Sequence, residues 1–279
     1  MYDENHPDVA VCYGNLGACY EKLGNFAAAL ENYECSLSML KSRYGENHPD
    51  VATIYNNIGG VYYNQGDYTK ALEHYERSLS IRKSIYGENH PDVATSYNNI
   101  GNVYSSQNEY SKALEYYERS LEICKSIYGE NHPDVATIYN NIGGIYSSQG
   151  DYTKALEYYE RSLEMRRSIY GEDHSNVATS YYSIAQVYAV LNDYPNALFY
   201  YERSFEILKS LYGENSLKLV GSYMGIAQCF FAQGDYSKAL EYSQDCLEIT
   251  RRFYGENHYD VAAIYKSIGD CYVSQADYA

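Results

Sequence analysis

Residues 48–89 read HPDVATIYNNIGGVYYNQGDYTKALEHYERSLSIRKSIYGEN, and this stretch decides the fold because versions of it recur along the whole chain at one constant spacing. The copies weaken toward the carboxyl end of the chain, but the spacing between them never shifts. A fixed period of this length is typical of an array of stacked structural repeats. The other copies begin at His6, His90, His132, His174, Ser216 and His258.

The opening of each repeat predicts the start of a helix. Pro49 suits the first helical position, because its φ is preset and its missing amide hydrogen would have no helical partner there. Asp50 places a carboxylate near the positive end of the helix dipole, and His48 then falls at the cap. An apolar stripe at helical spacing follows, at Tyr55, Ile58, Gly59 and Tyr62.

A tight turn at residues 65–68 leads to a predicted second helix from about Thr69 to Tyr86. Gly87 ends that helix, since glycine readily adopts the left-handed conformation of a helix C-terminus. Neither helix can bury its apolar face alone, so neighbouring pairs must stack. Each repeat is therefore expected to be two antiparallel helices joined by a short turn.

These repeats predict an all-α fold, a right-handed superhelical solenoid of about thirteen helices that forms one domain over residues 1–279. Because neither end shows a polar capping helix, we expect a fragment of a longer array. The expected repeats are residues 6–47, 48–89, 90–131, 132–173, 174–215 and 216–257, with a partial repeat at 258–279.

The composition narrows the class of partner. A net charge of −16 argues against a nucleic-acid or anionic membrane surface and favours a neutral or basic partner. An equally good reading is that acidic charge keeps an open array soluble. No apolar run approaches the ~18 residues of a membrane span, and the chain opens directly in repeat sequence without a signal-peptide pattern.

Seven cysteines without a CxxC pair fit a reducing cytoplasm better than a disulfide scaffold. Cys19, Cys229 and Cys271 occupy a core position of the repeat, where they act as small hydrophobic residues. Cys35 and Cys124 replace Arg77 and Arg82 of residues 48–89, so we expect both to be exposed.

The sequence Tyr55-x-x-Ile58-Gly59-x-x-Tyr62, followed by Ala71-x-x-x-Tyr75, resembles the tetratricopeptide repeat signature, with tyrosine at the usual Trp and Phe positions. The longer form of the repeat found here, with its HPDVA opening, resembles the repeats of kinesin light chains and of similar arrays in multidomain signalling proteins. The resemblance covers the whole chain and implies that the first helices line a concave groove that binds a peptide or partner segment.

The residues that the resemblance places on that groove are mainly asparagines. A carboxamide both donates and accepts hydrogen bonds, so a ladder of them suits the backbone of an extended peptide. The alternative is that these asparagines bond to one another and hold adjacent helices together. The expected ladder is Asn15, Asn57, Asn99 and Asn141, flanked by Asn56, Asn98, Asn140, Asn102, Tyr63 and Asn64.

The ladder breaks in the later repeats, which hold Ser183, Gly225 and Ser267 at its position. The basic residues that grip a ligand carboxylate in chaperone-binding relatives are also missing, so a carboxyl-terminal ligand is not expected. We expect a more apolar patch in this part of the chain, formed by Tyr182, Gln186, Met224 and Gln228.

No catalytic or metal site is expected. The recurring histidines stand one full repeat apart, on successive repeats, and no cysteine or carboxylate joins them at ligand spacing. His74 replaces Tyr116 and Tyr158, which favours a packing or surface role over that of a base. No phosphate-binding loop, nucleophile elbow or dinucleotide motif is present, and no cofactor is implied.

The sequence thus favours a non-catalytic scaffold that binds a protein or peptide partner. Two alternatives stay open. The chain could be the sensor array of a larger signalling protein or enzyme, or its open ends could stack into a self-assembled structure.

Overall fold

The computed structural model describes residues 7–277, and these residues form only helices and their connections. The predictions of an all-α fold and of about thirteen helices are confirmed for this part of the chain. His6 and residues 278–279, which belong to the first and last expected repeats, lie outside it. The helices are α1 (Pro7–Lys22), α2 (Phe26–Tyr44), α3 (Pro49–Asn64), α4 (Tyr68–Tyr86), α5 (Pro91–Ser106), α6 (Tyr110–Tyr128), α7 (Pro133–Ser148), α8 (Tyr152–Tyr170), α9 (Ser175–Val190), α10 (Tyr194–Tyr212), α11 (Val220–Ala232), α12 (Tyr236–Tyr254) and α13 (Tyr259–Asp277).

The chain folds into two compact units that divide after Asn141, within α7. Unit 1 contains α1–α6 and the start of α7, and unit 2 contains the rest. Within each unit, the two helices of a repeat pack against each other, and each second helix also packs against the first helix of the next repeat. That the whole chain is one continuous array stays a prediction.

The recurring histidines cap the first helices, as predicted. The Nδ1 atom of His90 accepts a hydrogen bond from the backbone amide of Asp92 at 3.2 Å, and its ring stacks on Tyr86 with ring centroids 3.9 Å apart. In the degenerate repeat, the Ser216 hydroxyl accepts from the Lys218 amide, and a short 3₁₀ turn precedes α11. The same histidine cap is present at His48, His132, His174 and His258.

Glycine ends the second helices, again as predicted. Gly87 has φ 79°, and its amide donates to the carbonyl oxygen of Lys83. The turn inside each repeat also needs a left-handed residue, which is Gly66 in the second repeat. Asn108 and Asn192 take that place with φ 60° and 58°, because asparagine is the side chain that best tolerates this conformation after glycine.

A buried serine ties the two helices of a repeat together. The hydroxyl of Ser78 on α4 donates to the carbonyl oxygen of Ala52 on α3 at 2.7 Å, and Ser120 makes the same bond to Ala94. Both serines are buried. A larger side chain here would separate the helices, so the small residue at this position sets how closely each pair packs.

Glutamates at the junctions between repeats join three neighbouring side chains. Glu46 pairs with Lys41 at 2.7 Å and with Arg77 at 2.8 Å, and it accepts a hydrogen bond from the Tyr55 hydroxyl at 2.9 Å. The bond to Lys41, with further contributions from Arg77 and Tyr55, lowers the pKa of Glu46 to about 2. The junction therefore keeps its charges at neutral pH, although its exposure to solvent limits what it adds to stability.

Two expectations for the cysteines are wrong. Cys124 is buried rather than exposed, because the equivalent Arg82 is itself buried and points between two repeats. Cys19 is exposed rather than part of the core, because no described helix covers that side of α1. Cys229 and Cys271 are buried as expected, and Cys35 is exposed as expected.

His74 packs between two tyrosine rings, in agreement with its predicted packing role. The ring centroids of Tyr55 and Tyr62 lie 5.9 and 5.4 Å from that of the imidazole. Its Nδ1 atom is buried and has no hydrogen-bond partner among the described residues. Burial lowers the pKa of His74, because the charged imidazolium would lose its hydration.

The burial of His74 predicts that the stability of the protein falls at acidic pH, and that His74→Tyr removes this part of the pH dependence. The folded state holds the proton less tightly than the unfolded state, whose histidine pKa is about 6.5. The stability contributed by neutral His74 is thus present above that pH and is lost as the pH falls toward the lower folded pKa. The stability advantage of His74→Tyr over wild type should widen between pH 7.5 and pH 5, as measured by urea unfolding.

Tyr116→His supplies the reciprocal control, because Tyr116 occupies the same position between Tyr97 and Tyr104 in the next repeat. That variant should gain the acid sensitivity that His74→Tyr loses. An advantage of His74→Tyr that stays constant across the pH range would contradict this account.

Candidate functional site

The predicted asparagines lie on one face of the first helices of unit 1, which we call the first-helix face. Asn99 Nδ2 donates to Asn56 Oδ1 at 2.9 Å, and Asn141 Nδ2 donates to Asn98 Oδ1 at 3.0 Å. Each bond joins the first helices of adjacent repeats. The asparagines therefore do hold neighbouring helices together, which is the alternative that the sequence left open.

This interhelical role leaves room for a ligand. A carboxamide has two N–H donors and an oxygen with two lone pairs, so one bond to a neighbour uses only part of its capacity. Asn56, Asn98, Asn99 and Asn141 are half-buried, with part of each side chain reaching solvent. Whether the face binds a peptide stays a prediction.

The flanking residues are anchored by second helices or by adjacent first helices. Asn102 Oδ1 accepts a hydrogen bond from the Tyr117 hydroxyl at 2.7 Å. Asn64 Nδ2 donates to Glu21 at 3.2 Å, and the hydroxyls of Tyr63 and Ser106 are 2.9 Å apart. These contacts fix the orientation of the side chains that border the ladder.

The remaining predicted residues differ in burial. Asn15 is exposed on α1, and Asn57 is half-buried on α3. The Oδ1 atom of Asn140 is buried and has no hydrogen-bond partner among the described residues. A buried acceptor without a partner is uncommon, and an N–H group from a ligand would satisfy it.

Unit 2 carries a groove of about 410 Å³ on the equivalent face of α9, α11 and α13. The groove brings together the four residues that the sequence placed in a more apolar patch. Its lining combines aromatic and aliphatic side chains with at least as much polar surface, so the groove is less apolar than expected. Such a mixed lining can contact both the side chains and the backbone of a peptide. Those four residues are Tyr182, Gln186, Met224 and Gln228, and Lys266 and Asp270 of α13 complete the lining together with Gly221, Gly225, Phe231 and neighbouring side chains.

A packing change explains why the asparagine ladder stops in this groove. In the earlier repeats a glycine such as Gly101 lies under the ring of Tyr117, which an added Cβ would approach to 2.7 Å. Ala185 fills that place in the fifth repeat, and the ring of Tyr201 lies instead beside Gly225 of the next repeat. A Cβ on Gly225 would come within 2.5 Å of Tyr201, so no asparagine fits there.

The groove contains both charges and an aromatic wall. Tyr182 contacts Tyr201 edge to face, with ring centroids 5.5 Å apart, and burial raises the pKa of the Tyr182 phenol. Lys266 and Asp270 bring one charge of each sign to the α13 side. Sequence reasoning missed both charged residues, although each stands one repeat after a residue that it did select.

Nothing in the described part of the chain has the arrangement of a metal centre, since no three His, Cys, Asp or Glu side chains are placed to share an ion. Within residues 7–277, no helix has the length and apolar character that a membrane crossing requires.

The tetratricopeptide repeat family model matches most of the chain. The matched residues are 2–42, 50–126, 109–168, 134–210 and 219–279. No curated protein sequence matches the chain.

Several solved structures share the fold. A kinesin-light-chain array of nearly identical tetratricopeptide-like repeats from Podospora anserina is 18% identical, with a TM-score of 0.60 over 74% of this chain and 98% of that one. A Rap protein in complex with competence and sporulation factor is 17% identical, with a TM-score of 0.65 over 96% and 76%. A signal-transduction ATPase with a tetratricopeptide repeat sensor, from Pyrococcus horikoshii, is 19% identical, with a TM-score of 0.71 over 95% and 38%.

Proposed function

The chain belongs to the tetratricopeptide repeat family, and on that premise we propose that it is a non-catalytic scaffold that binds an extended segment of a protein partner. The observation that carries the proposal is the groove of unit 2, where repeated first-helix positions converge on one cleft. The partner segment lies along this groove, with an apolar side chain against Tyr182 and Met224. Gln186 and Gln228 hydrogen-bond its backbone, since each carboxamide matches both groups of a peptide unit.

Three further features support the proposal. Repeated polar side chains on the first-helix face suit recognition of a repeating backbone. The Rap protein, which shares the fold, is seen with a bound factor. The net charge of −16 favours a neutral or basic partner. We place the protein in the cytoplasm, because its seven free cysteines fit a reducing compartment.

The groove is tested with linear peptides selected from a random display library on the wild-type protein. Tyr182→Asn/Met224→Asn gives the groove the residue that Asn98 and Asn140 provide in earlier repeats. We expect this variant to bind the selected peptides at least about tenfold more weakly, a loss of about 1.4 kcal/mol, as measured by fluorescence anisotropy.

Phe199→Glu is the matched control, because Phe199 is an exposed apolar residue on α10, where Glu73 and Glu115 stand in other repeats. It should leave affinity within about twofold of wild type, as expected for a residue outside the interface. Equal binding by the groove variant, or an equal loss in Phe199→Glu, would rule out the groove as the binding site.

The asparagine ladder is proposed as an extension of the site in unit 1. The variant Asn57→Ala/Asn99→Ala/Asn141→Ala removes three interhelical amide bonds, of which the bond from Asn141 to Asn102 is long at 3.4 Å. A hydrogen bond of this kind has a net worth of about 0.5–1.5 kcal/mol. We expect a modest fall in the urea midpoint together with about a tenfold loss of affinity for peptides long enough to reach unit 1. A fall in stability with unchanged affinity would mean that the asparagines only join the helices.

A sensor role is the second candidate, favoured by the shared fold of the tetratricopeptide repeat sensor in the Pyrococcus horikoshii ATPase. Such an array would regulate a catalytic domain elsewhere in a larger protein. A catalytic or nucleotide-binding domain encoded in the same reading frame would support this role, and a reading frame with repeats alone would exclude it.

A further inference from the structure

A crevice of about 120 Å³ opens between α5 and α7 on the first-helix face of unit 1. Cys124 of α6 and Ile138 of α7 form its inner end, and Thr95, Asn98 and Thr137 lie at its rim. Asp134, near the start of α7, also lines it. A volume of ~10–15 Å³ suffices for one water molecule, so the crevice can hold the end of a side chain.

Two other repeats fill the equivalent space with an arginine of their own. Arg82 is buried, and its Nη1 atom donates to the carbonyl oxygen of Asp92 at 2.9 Å and to the hydroxyl of Ser96 at 2.8 Å. Arg166 makes the same two bonds, to Asn176 at 3.0 Å and to Ser180 at 2.8 Å. In both repeats, therefore, a guanidinium group is bound between the second helix and the first helix of the next repeat.

Cys124 stands where those arginines stand, and its short side chain leaves the crevice unfilled. Asp134 stands where Asp92 stands, so its main-chain carbonyl is the counterpart of the one that accepts from Arg82. The Asp134 carboxylate, 3.7 Å from the Nδ1 atom of His132, brings a negative charge to the crevice. Burial keeps the Cys124 thiol neutral by raising its pKa to about 11. Negative charge at the crevice therefore comes from Asp134.

We propose that this crevice binds the guanidinium group of an arginine side chain supplied by a protein partner. A guanidinium group is planar, carries five N–H donors and is less strongly hydrated than an ammonium group, which suits a narrow site with acceptors on one side. Ile138 replaces the serine acceptor and offers an apolar surface to the face of the group. The net charge of −16 favours the approach of a cation.

The rim of the crevice explains how a partner reaches it. Asn98 belongs to the residues that flank the asparagine ladder, and Thr95 and Thr137 are exposed on the same face. A segment lying on the first-helix face would pass directly over the opening. The arginine site rests on the proposed function, and it deepens that function by naming one residue type that the partner contributes.

The test uses an isolated arginine, so that its result does not depend on the groove of unit 2. N-acetyl-arginine N-methylamide is titrated into the ¹⁵N-labelled protein, and the amide resonance of Thr137 is followed. The citrulline analogue is the matched ligand, because it has nearly the same shape without the charge. We expect a saturable shift with arginine and none with citrulline.

Two variants locate the binding site. Cys124→Arg/Ile138→Ser copies the Arg82 and Ser96 pair, fills the crevice with the protein's own guanidinium and should abolish the shift. Asp134→Asn copies Asn176 and should weaken binding at least about fivefold, since charge-assisted hydrogen bonds are roughly twice as strong as neutral ones.

Three results would overturn the inference. They are equal shifts with arginine and citrulline, no shift with either ligand, and undiminished arginine binding by Cys124→Arg/Ile138→Ser. A separate outcome is that arginine binds to the crevice while Tyr182→Asn/Met224→Asn binds the selected peptides as well as wild type does. That outcome would support the arginine site and contradict only the groove proposal.

Discussion

Ser96→Ile is expected to destabilise the protein by about 3–5 kcal/mol, the cost typical of removing one partner from a buried charged group. Arg82 would keep its buried guanidinium but lose the hydroxyl that accepts its hydrogen bond at 2.8 Å. Urea unfolding followed by circular dichroism measures the loss.

A double variant distinguishes this mechanism from simple crowding. Arg82→Leu/Ser96→Ile reproduces the pair Leu40 and Ile54 of the preceding repeat, and well-packed apolar residues commonly replace a buried charged group at little or no cost. We expect its urea midpoint to be close to that of wild type. A double variant as unstable as Ser96→Ile alone would show that the arginine is not the cause.

Gly225→Asn is expected to cost about 3 kcal/mol, at the upper end of the usual penalty for overpacking a core. The new Cβ would lie within 2.5 Å of the Tyr201 ring, which Ala185 keeps from moving back under its own first helix. Thermal unfolding of the variant should show a lower midpoint, although the substitution restores the residue found in earlier repeats.

The double variant Ala185→Gly/Gly225→Asn should recover much of this loss, because it recreates the arrangement around Gly101 and Asn141. A glycine inside a helix costs about 1 kcal/mol relative to alanine, so Ala185→Gly alone should be mildly destabilising. The two changes should therefore couple favourably by about 1–3 kcal/mol in a double-mutant cycle. Additive losses would contradict the role given to Tyr201.

The sequence was sufficient for the helices because each local signal agrees with the repeat. His90, Pro91 and Asp92 form a cap that recurs at His48 and His132. A glycine equivalent to Gly87 ends each second helix. The constant period then predicts which helices meet. These features depend on neighbours close in the chain, so a single sequence displays them fully.

The sequence did not predict that Cys124 is buried. The equivalent residues of two other repeats are Arg82 and Arg166. Arginine is rarely buried, so the sequence favoured an exposed position for Cys124. The burial of each arginine depends on a serine in the first helix of the next repeat. The sequence does contain a signal for the buried arginines. Fourteen residues after Arg82 and Arg166 stand Ser96 and Ser180, whereas the same spacing leads from Leu40 to Ile54 and from Cys124 to Ile138.

The candidate site was predicted in part. The sequence selected four residues of the groove in unit 2 and missed Lys266 and Asp270. It did not explain why Gly225 ends the ladder, since that depends on where the ring of Tyr201 lies. It also left two roles open for the asparagines, and the structure places Asn99 and Asn141 in interhelical bonds without testing whether they bind a ligand.

The central claim is that a partner segment lies in the groove of unit 2, and the most direct test is a map of amide chemical shifts on adding a selected peptide. We expect the largest changes to cluster at Gln186, Met224 and Gln228. Changes confined to the second helices, around Phe199 and Arg203, would contradict the claim.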